Sequence, residues 1–342
     1  MAGYSVVSPN GHATVRTVVP QTLEEISAAM AEAQGPVVFN AGSIMHPFGM
    51  PTAYRRYRMK ALAEMMELEG FPPPPELRDI ELDGTDVAEL IHSTGISLDE
   101  YYGIIEHDVE DQVVVVRAGT SVLELQEELA EVGQCLPLPV LEPHGAMSTA
   151  SLYGPLIDEI GFNLPHGLSA QCGSWRDWVL GMKVIQPDGT VAKCGSKAVK
   201  NVAGYDVQKL MIGARGTLAL IAEVTLKTFP LKALPPSEVA FVSSAARRPS
   251  NWIQRVRPVD FDIAVKSQAG ALAAYDCRSS TLWAYVPPGG SLKRFEGDWV
   301  LRAGCGAQNL EFKDPTVLRL MKRTKELFDP TGKLNPGEMG LF

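Results

Sequence analysis

Few residues in this chain are spaced for familiar chemistry. There is no GxGxxG after a strand, no GxxxxGKS/T, no HExxH and no GxSxG. The six histidines (His12, His46, His92, His107, His144 and His166) lack metal-ligand spacing and read as surface or capping residues. Asp108, Glu110 and Asp111 precede a valine run and read as a turn that bonds its own backbone, not as a carboxylate pair for acid–base work. Three segments are more informative together. They are Lys200-Asn201-Val202-Ala203-Gly204-Tyr205-Asp206 with the following Lys209–Leu218, the strand-like Ile221–Lys227, and the C-terminal Phe328–Gly337. Gly204 and Gly213 either allow a ligand close to the backbone or are ordinary turn glycines.

The elements that must position these residues alternate. Thr14–Pro20 reads as a strand, and Leu23, Ile26, Ala29 and Met30 recur at helical spacing up to Gly35. Pro36–Ser43 reads as a buried strand entering a glycine-containing turn, which completes an α/β opening. Residues 52–97 interrupt it with Met59, Leu62, Met65 and Met66 and then Pro72–Pro75, a run without amide donors that favours an extended segment. This insertion is either a partner-docking arm or a long surface loop. The valine run of residues 113–116 reads as a strand, and Val122, Leu125, Leu129 and Val132 mark one face of an amphipathic helix. Pro187-Asp188-Gly189 between apolar runs predicts a hairpin. Beyond Pro235-Pro236, strand-like runs alternate with polar linkers, and the tail holds a helix at TVLRLMKRTKELF.

Composition narrows the classes. At roughly 150 residues per domain, 342 residues make about two domains. With 45% hydrophobic and 21% charged residues, the chain is of ordinary globular type. A formal net charge of -9 without a basic stripe argues against nucleic acid. No run approaches the roughly 18 apolar residues of a spanning helix, so no direct membrane insertion is expected. The N-terminus shows no basic region followed by an apolar core, so no secretory signal is expected. Five scattered cysteines without a CxxC pair suit reduced thiols in a cytoplasm and supply no cluster-binding pattern.

On these segments the chain resembles the flavin-binding PCMH-type (vanillyl-alcohol oxidase) superfamily. KNVAGYD followed by KLMIGARGTLALIAEVTLK is most similar to the FAD-binding E subunits of bacterial glycolate oxidases, with support from Gly173–Gly181 and the LNPG tail. The resemblance covers roughly residues 14–51, 97–230 and 311–340. It implies an α+β fold with a PCMH-type FAD-binding domain at 1–230, made of two α/β subdomains (about 1–118 and 119–230) with the insertion 52–97. A reduced α+β cap at 231–310 and a segment 311–342 returning to the FAD domain complete it.

The resemblance also implies a site. A turn matching Ala41, Gly42, Ser43, Ile44 and Met45 would wrap the FAD pyrophosphate with backbone amides. Gly145, Ala146, Met147 and Thr149 would form a second phosphate-contacting stretch, with Ala146 where relatives carry a second glycine. Asn201, Gly204 and Tyr205 would line the site, Tyr205 either beside the flavin or packed between the two halves, and the backbone at Ile221 would meet the adenine end. The region 156–168 is longer than the family pattern. Residues 237–310 are short for a substrate cap and show no histidine or arginine cluster to hold a 2-hydroxy acid.

The implied role is the FAD-binding subunit of a glycolate-oxidase-like complex that oxidises a 2-hydroxy acid to the 2-oxo acid. A sister FAD-containing subunit and an iron–sulfur subunit would be its partners. Flavin would be held non-covalently, and any membrane association would run through partner subunits. Two alternatives stay open: a structural subunit of the same complex that has lost FAD, and a stand-alone FAD-dependent oxidoreductase.

Overall fold

The structure, a computed structural model, describes residues 3–7, 14–40, 93–138, 155–163, 168–197, 206–234, 239–241, 252–268, 272–277, 280–284, 293, 295, 299–302 and 315–336. The expected insertion, up to residue 92, lies outside them.

The first sheet has strand order β1-β2-β4-β3, with β1 (Gly3–Val7), β2 (Thr14–Val18), β3 (Val37–Asn40) and β4 (Thr94–Ser97). β1 and β2 form an antiparallel hairpin, while β4 runs parallel to both β2 and β3. Helix α1 (Leu23–Glu32) makes the crossover from β2 to β3. Its start is fixed by Thr22, whose hydroxyl accepts from the Glu25 amide, and by Glu25, whose carboxylate accepts from the Gln21 amide, a reciprocal cap. The apolar spacing read from the sequence buries Ile26, Ala29 and Met30. One boundary differs from expectation. Thr94–Ser97, expected to end the insertion, is fully buried in the middle of this sheet. Thr-Gly-Ile-Ser is too short and mixed to show a strand period by itself; pairing on both sides makes it one.

The second sheet is wholly antiparallel. Its order is β5 (Ile104–Asp108), β6 (Val113–Arg117), β10 (Leu220–Lys227), β8 (Val179–Ile185) and β9 (Val191–Gly195). The turn between β5 and β6 closes as expected, the Asp111 amide donating to Asp108 Oδ1 at 2.9 Å. Helix α2 (Val122–Glu131) buries Val122, Leu125 and Leu129. A two-stranded ribbon of β7 (Gln134–Cys135) and β11 (Phe229–Pro230) flanks the sheet. Short helices α3 (Leu156–Phe162), α4 (Ser169–Cys172), α5 (Trp175–Trp178) and α6 (Gln208–Met211) pack around it.

The Asp-Gly turn between β8 and β9 joins this sheet to α1. Ser27 Oγ donates to the Gly189 carbonyl at 2.6 Å. Gly189 has φ +87°, and a Cβ there would lie 2.6 Å from the Ser27 carbonyl, so only glycine fits the contact. One continuous core, running from Val18 and Ile26 through Val116, Leu125 and Trp175 to Leu226 and Leu334, spans both sheets.

A third sheet, also antiparallel, has the order β12 (Val239–Phe241), β14 (Leu272–Asp276), β15 (Thr281–Ala284), β13 (Trp252–Arg255) and β16 (Trp299–Arg302). With helix α7 (Phe261–Gln268) it encloses a separate small core of Val256, Phe261, Ala264, Leu272, Leu282 and Ala284. The sequence reading missed β13, β14 and α7, whose runs are too short to show a period.

Helix α8 (Pro315–Phe328) follows. The chain then returns to the first sheet, where Leu334 forms a parallel bridge with Val37. The class is α+β.

Candidate functional site

In α/β folds ligands settle at the carboxyl ends of parallel strands. Here β3 and β4 end side by side at Asn40 and Ser97. The expected phosphate turn leaves from that edge, but Ala41, Gly42, Ser43, Ile44 and Met45 lie outside the described residues. So do Gly145, Ala146, Met147, Thr149, Asn201, Gly204 and Tyr205. Of the expected site residues, Ile221 is described. It is buried on β10 and lines a narrow cavity beside Phe39 of β3.

Three pieces of chain close this cavity. The first is α3, which supplies Ile157, Asp158, Gly161 and Phe162. The Leu156 amide donates to the Thr120 carbonyl at 2.9 Å and the Ile157 amide to the Ala118 carbonyl at 2.8 Å, which seats the helix start against the end of β6. The helix stops at Asn163, in the left-handed region at φ 48°. Every residue of α3 is buried, Asp158 and Glu159 included.

The second piece is the turn before β10. The amides of Gly213 and Arg215 donate to the carbonyls of Ile160 and Gly161 at 3.1 and 2.8 Å, so turn and helix hold each other. Arg215, itself at φ 51°, sets its guanidinium 5.1 Å from the centre of the Phe162 ring, a cation–π contact. Gly216 has φ +69°, and a Cβ there would lie 2.4 Å from the Phe39 ring.

The third piece is the C-terminal tail. Asn335 Nδ2 donates to the Arg215 carbonyl at 2.9 Å, and its Oδ1 accepts from the Phe39 amide at 3.3 Å. The Asn335 amide donates to the Val37 carbonyl, and the Val37 amide to the Lys333 carbonyl. Behind it, Lys325 is buried and donates to the carbonyls of Thr217 and Leu334 at 2.8 and 2.9 Å and to the Asp329 carboxylate. Burial alone would raise the Asp329 pKa. The Lys325 ammonium and the amides of Leu334 and Lys333 outweigh it and hold the carboxyl below its ordinary range. Lys333 reaches over to the carbonyls of Met30 and Pro187. One tail thus fastens β3, α1 and the 214–217 turn around the cavity.

Nearby titratable groups are structural. The Tyr101 hydroxyl donates to Glu223 at 3.2 Å, and Lys183 pairs with the same carboxylate at 2.9 Å. Burial first, and Glu223 second, push the Tyr101 pKa up. Burial also raises the thiols of Cys135 and Cys194 to about 11. Among the described residues no cluster could hold a metal ion, and no helix is long and apolar enough to cross a membrane.

Ile157, Ile221, Phe39 and Phe162 give the cavity a mostly apolar lining. Arg215 and Asn335 contribute polar groups, and Gly216 keeps free a space that a side chain would fill. Sequence reasoning missed Asp158, Arg215, Gly216 and Asn335 as lining residues. Arg215-Gly216 and the LNPG tail stood inside segments already singled out, but only the fold brings them together.

Comparison with known proteins agrees with the geometry. Residues 84–195 match the FAD binding domain family, and residues 307–339 match the C-terminal domain of FAD linked oxidases. The glycolate oxidase subunit GlcE of Escherichia coli is 33% identical over 146 residues, 40% of this chain and 38% of that protein. The mitochondrial D-lactate dehydrogenase [cytochrome] of Arabidopsis thaliana is 37% identical over 134 residues, 39% of this chain and 21% of its own. The GlcD glycolate oxidase subunit of Bacillus subtilis is 32% identical over 127 residues, 37% of this chain and 25% of its own. The matched stretches thus span well under half of each relative. An alkyldihydroxyacetonephosphate synthase structure overlaps 75% of this chain and 37% of its own at a TM-score of 0.43 and 13% identity, too loose a likeness to decide anything. The first match holds β4 and the second holds Leu334, which bridges β3 beside it; over these stretches the chain is similar to FAD-binding oxidoreductases that include a GlcE subunit, and FAD is its cofactor.

Proposed function

We propose that this chain is the FAD-binding subunit of a glycolate-oxidase-like complex acting on a 2-hydroxy acid of the glycolate or lactate type. The observation that carries the reading is the tail-closed cavity: the segment resembling FAD linked oxidases, residues 307–339, supplies Asn335 to the same cavity that Ile221 lines. The relatives' names, glycolate oxidase subunits and D-lactate dehydrogenases, support the substrate class.

Flavin bound in the complex would supply the redox chemistry that turns the hydroxy acid into the 2-oxo acid. The chain's own part is positional. Residues 41–45 and 145–149 would hold the pyrophosphate by backbone amides, with Asn201, Gly204 and Tyr205 alongside. Arg215, Asn335 and Gly216 would shape the described end of the site.

On this reading residues 1–230 bind FAD, 231–310 are a reduced cap and 311–342 return to the FAD domain. The stretch 231–310 contains no histidine that could take the hydroxyl proton. Substrate oxidation therefore falls to a sister FAD-containing subunit, and electrons leave through an iron–sulfur subunit.

The test is an absorption spectrum of the purified chain from about 300 to 550 nm after FAD addition and desalting, where the oxidised cofactor absorbs, followed by dye reduction with glycolate and with D-lactate, alone and with co-expressed partners. A retained flavin band with turnover only in the complex supports the proposal. Turnover by the isolated chain would make it a stand-alone enzyme. A folded, colourless protein that refuses FAD would make it a scaffold.

A further inference from the structure

We propose that helix α8 docks against helix α2 of a second copy of this chain, and that the protein pairs through this contact in solution. The proposal stands apart from the FAD reading and does not depend on it.

Helix α8 has an apolar face that its own chain covers only in part. Leu318, Met321 and Phe328 are half-buried. Val317, Leu320 and Leu327, at helical spacing on an adjoining face, point outward, with Leu320 56% and Leu327 80% exposed. A helix in a folded protein draws most of its stability from packing its apolar face, so this open part calls for a neighbour. Arg319, Lys322 and Arg323 are also exposed, and Arg319 and Arg323 stand four residues apart, where like charges weaken a helix.

Helix α2 has the same layout with the opposite sign. Its core side is Val122, Leu125 and Leu129, and its outer side carries Glu124, Glu127, Glu128 and Glu131, again with like charges four residues apart. None of these carboxylates or cations has an ion-pair partner among the described residues. Exposed apolar residues bracket each charged row: Leu123 and Val132 on α2, Val317 and Leu327 on α8. At the helical rise those brackets lie about 14 Å and about 15 Å apart, so the two rows match in length. Leu231, exposed and tied to the Gly133 carbonyl, widens the apolar end of α2. With a net charge of -9, copies of this chain repel one another in general, and the basic row of α8 is where a second copy is attracted. One helix pair supplies only part of the roughly 1,200–2,000 Å² that a stable interface buries, and two-fold symmetry supplies the contact twice.

The test is the mass of the full chain in solution, by light scattering on a size-exclusion column at micromolar concentration. The native protein should be a dimer. Raising the salt from about 0.1 M to about 1 M cuts the screening length from about 10 Å to about 3 Å and should weaken the dimer at least about tenfold. Arg319→Glu, Lys322→Glu and Arg323→Glu together set acid against acid and should give monomers. Glu124→Lys, Glu127→Lys and Glu128→Lys together set base against base and should do the same. Mixed in equal amounts, the two variants present opposite charges at both contacts and should recover the dimer, which also shows that each is folded. A native mass other than a dimer's, or a dimer indifferent to salt, overturns the proposal, and these two measurements need no variant to fold. A dimer that survives either reversal overturns it too, as does a mixture that stays monomeric while both variants keep the native circular dichroism.

Discussion

The sheet of residues 104–227 and the sheet of residues 239–302 each have five antiparallel strands, yet they are built to different ends. In the first, the central strand β10 is buried along nearly its whole length, as the run Leu220–Val224 shows. Helices, a second sheet and the tail lean on it, and its core is continuous with that of residues 14–40. In the other, six buried side chains make up the described core. A surface that positions a dinucleotide must not give, and dense packing on both faces supplies that stiffness. The lesser core of residues 239–302 marks a part with a smaller positional duty.

That contrast can be broken from either side. The largest effect is expected for Lys325→Met, which leaves the buried Asp329 carboxylate without its cation; breaking one side of such a pair typically costs about 3–5 kcal/mol. Urea melts followed by the Trp175–Trp178 signal should show it, and a loss below about 1 kcal/mol would mean the tail is not a fastening. Next comes Leu282→Ala in the smaller core, with a cost of about 2–5 kcal/mol. If the two sheets have separate duties, this variant keeps its flavin band while the Trp252 and Trp283 region melts early; loss of flavin would erase the contrast. Gly216→Ala should follow, at about 1–3 kcal/mol for a strained φ, with a clash on Phe39 added. Its flavin dissociation constant should rise as well, and unchanged values of both would remove Gly216 from the site.

Acid should act on the first part selectively. The folded-state pKa of Asp329 lies below its unfolded value. Its contribution is therefore fully present above about pH 4 and is lost as pH falls through the lower, folded value. A pH series of melts should show that decline in the native chain and its absence in Asp329→Asn. The smallest effect is chemical. With their thiols raised to about 11, Cys135 and Cys194 should resist iodoacetamide at pH 8, while exposed Cys277 reacts. Mass spectrometry of tryptic peptides reads this directly.

Legibility in the sequence followed the length of each pattern. Helix α1, the valine strand β6, helix α2, the Asp-Gly hairpin and helix α8 announce themselves through sustained periodicity or a turn dipeptide. Thr94–Ser97 does not, because four residues flanked by strands on both sides owe their conformation to neighbours far away in sequence. The cavity was legible in part. Ile221 and the segments holding Arg215, Gly216 and Asn335 stood out as blocks. Asp158 did not, since an acidic residue in Leu-Ile-Asp-Glu-Ile reads as a solvated position until the fold buries every residue of that helix.

The bridge between Val37 and Leu334 also bears on how the protein is made. A ribosome delivers β3 hundreds of residues before the strand partner that lies along it. The early sheet must therefore wait, with one edge open, until residues 333–335 have left the exit tunnel. Such distant closure is slow to find, and exposed edges are sticky in the meantime. A nascent chain stalled before residue 333 should thus engage holding chaperones, and production should depend on translation speed more than the native stability alone would suggest.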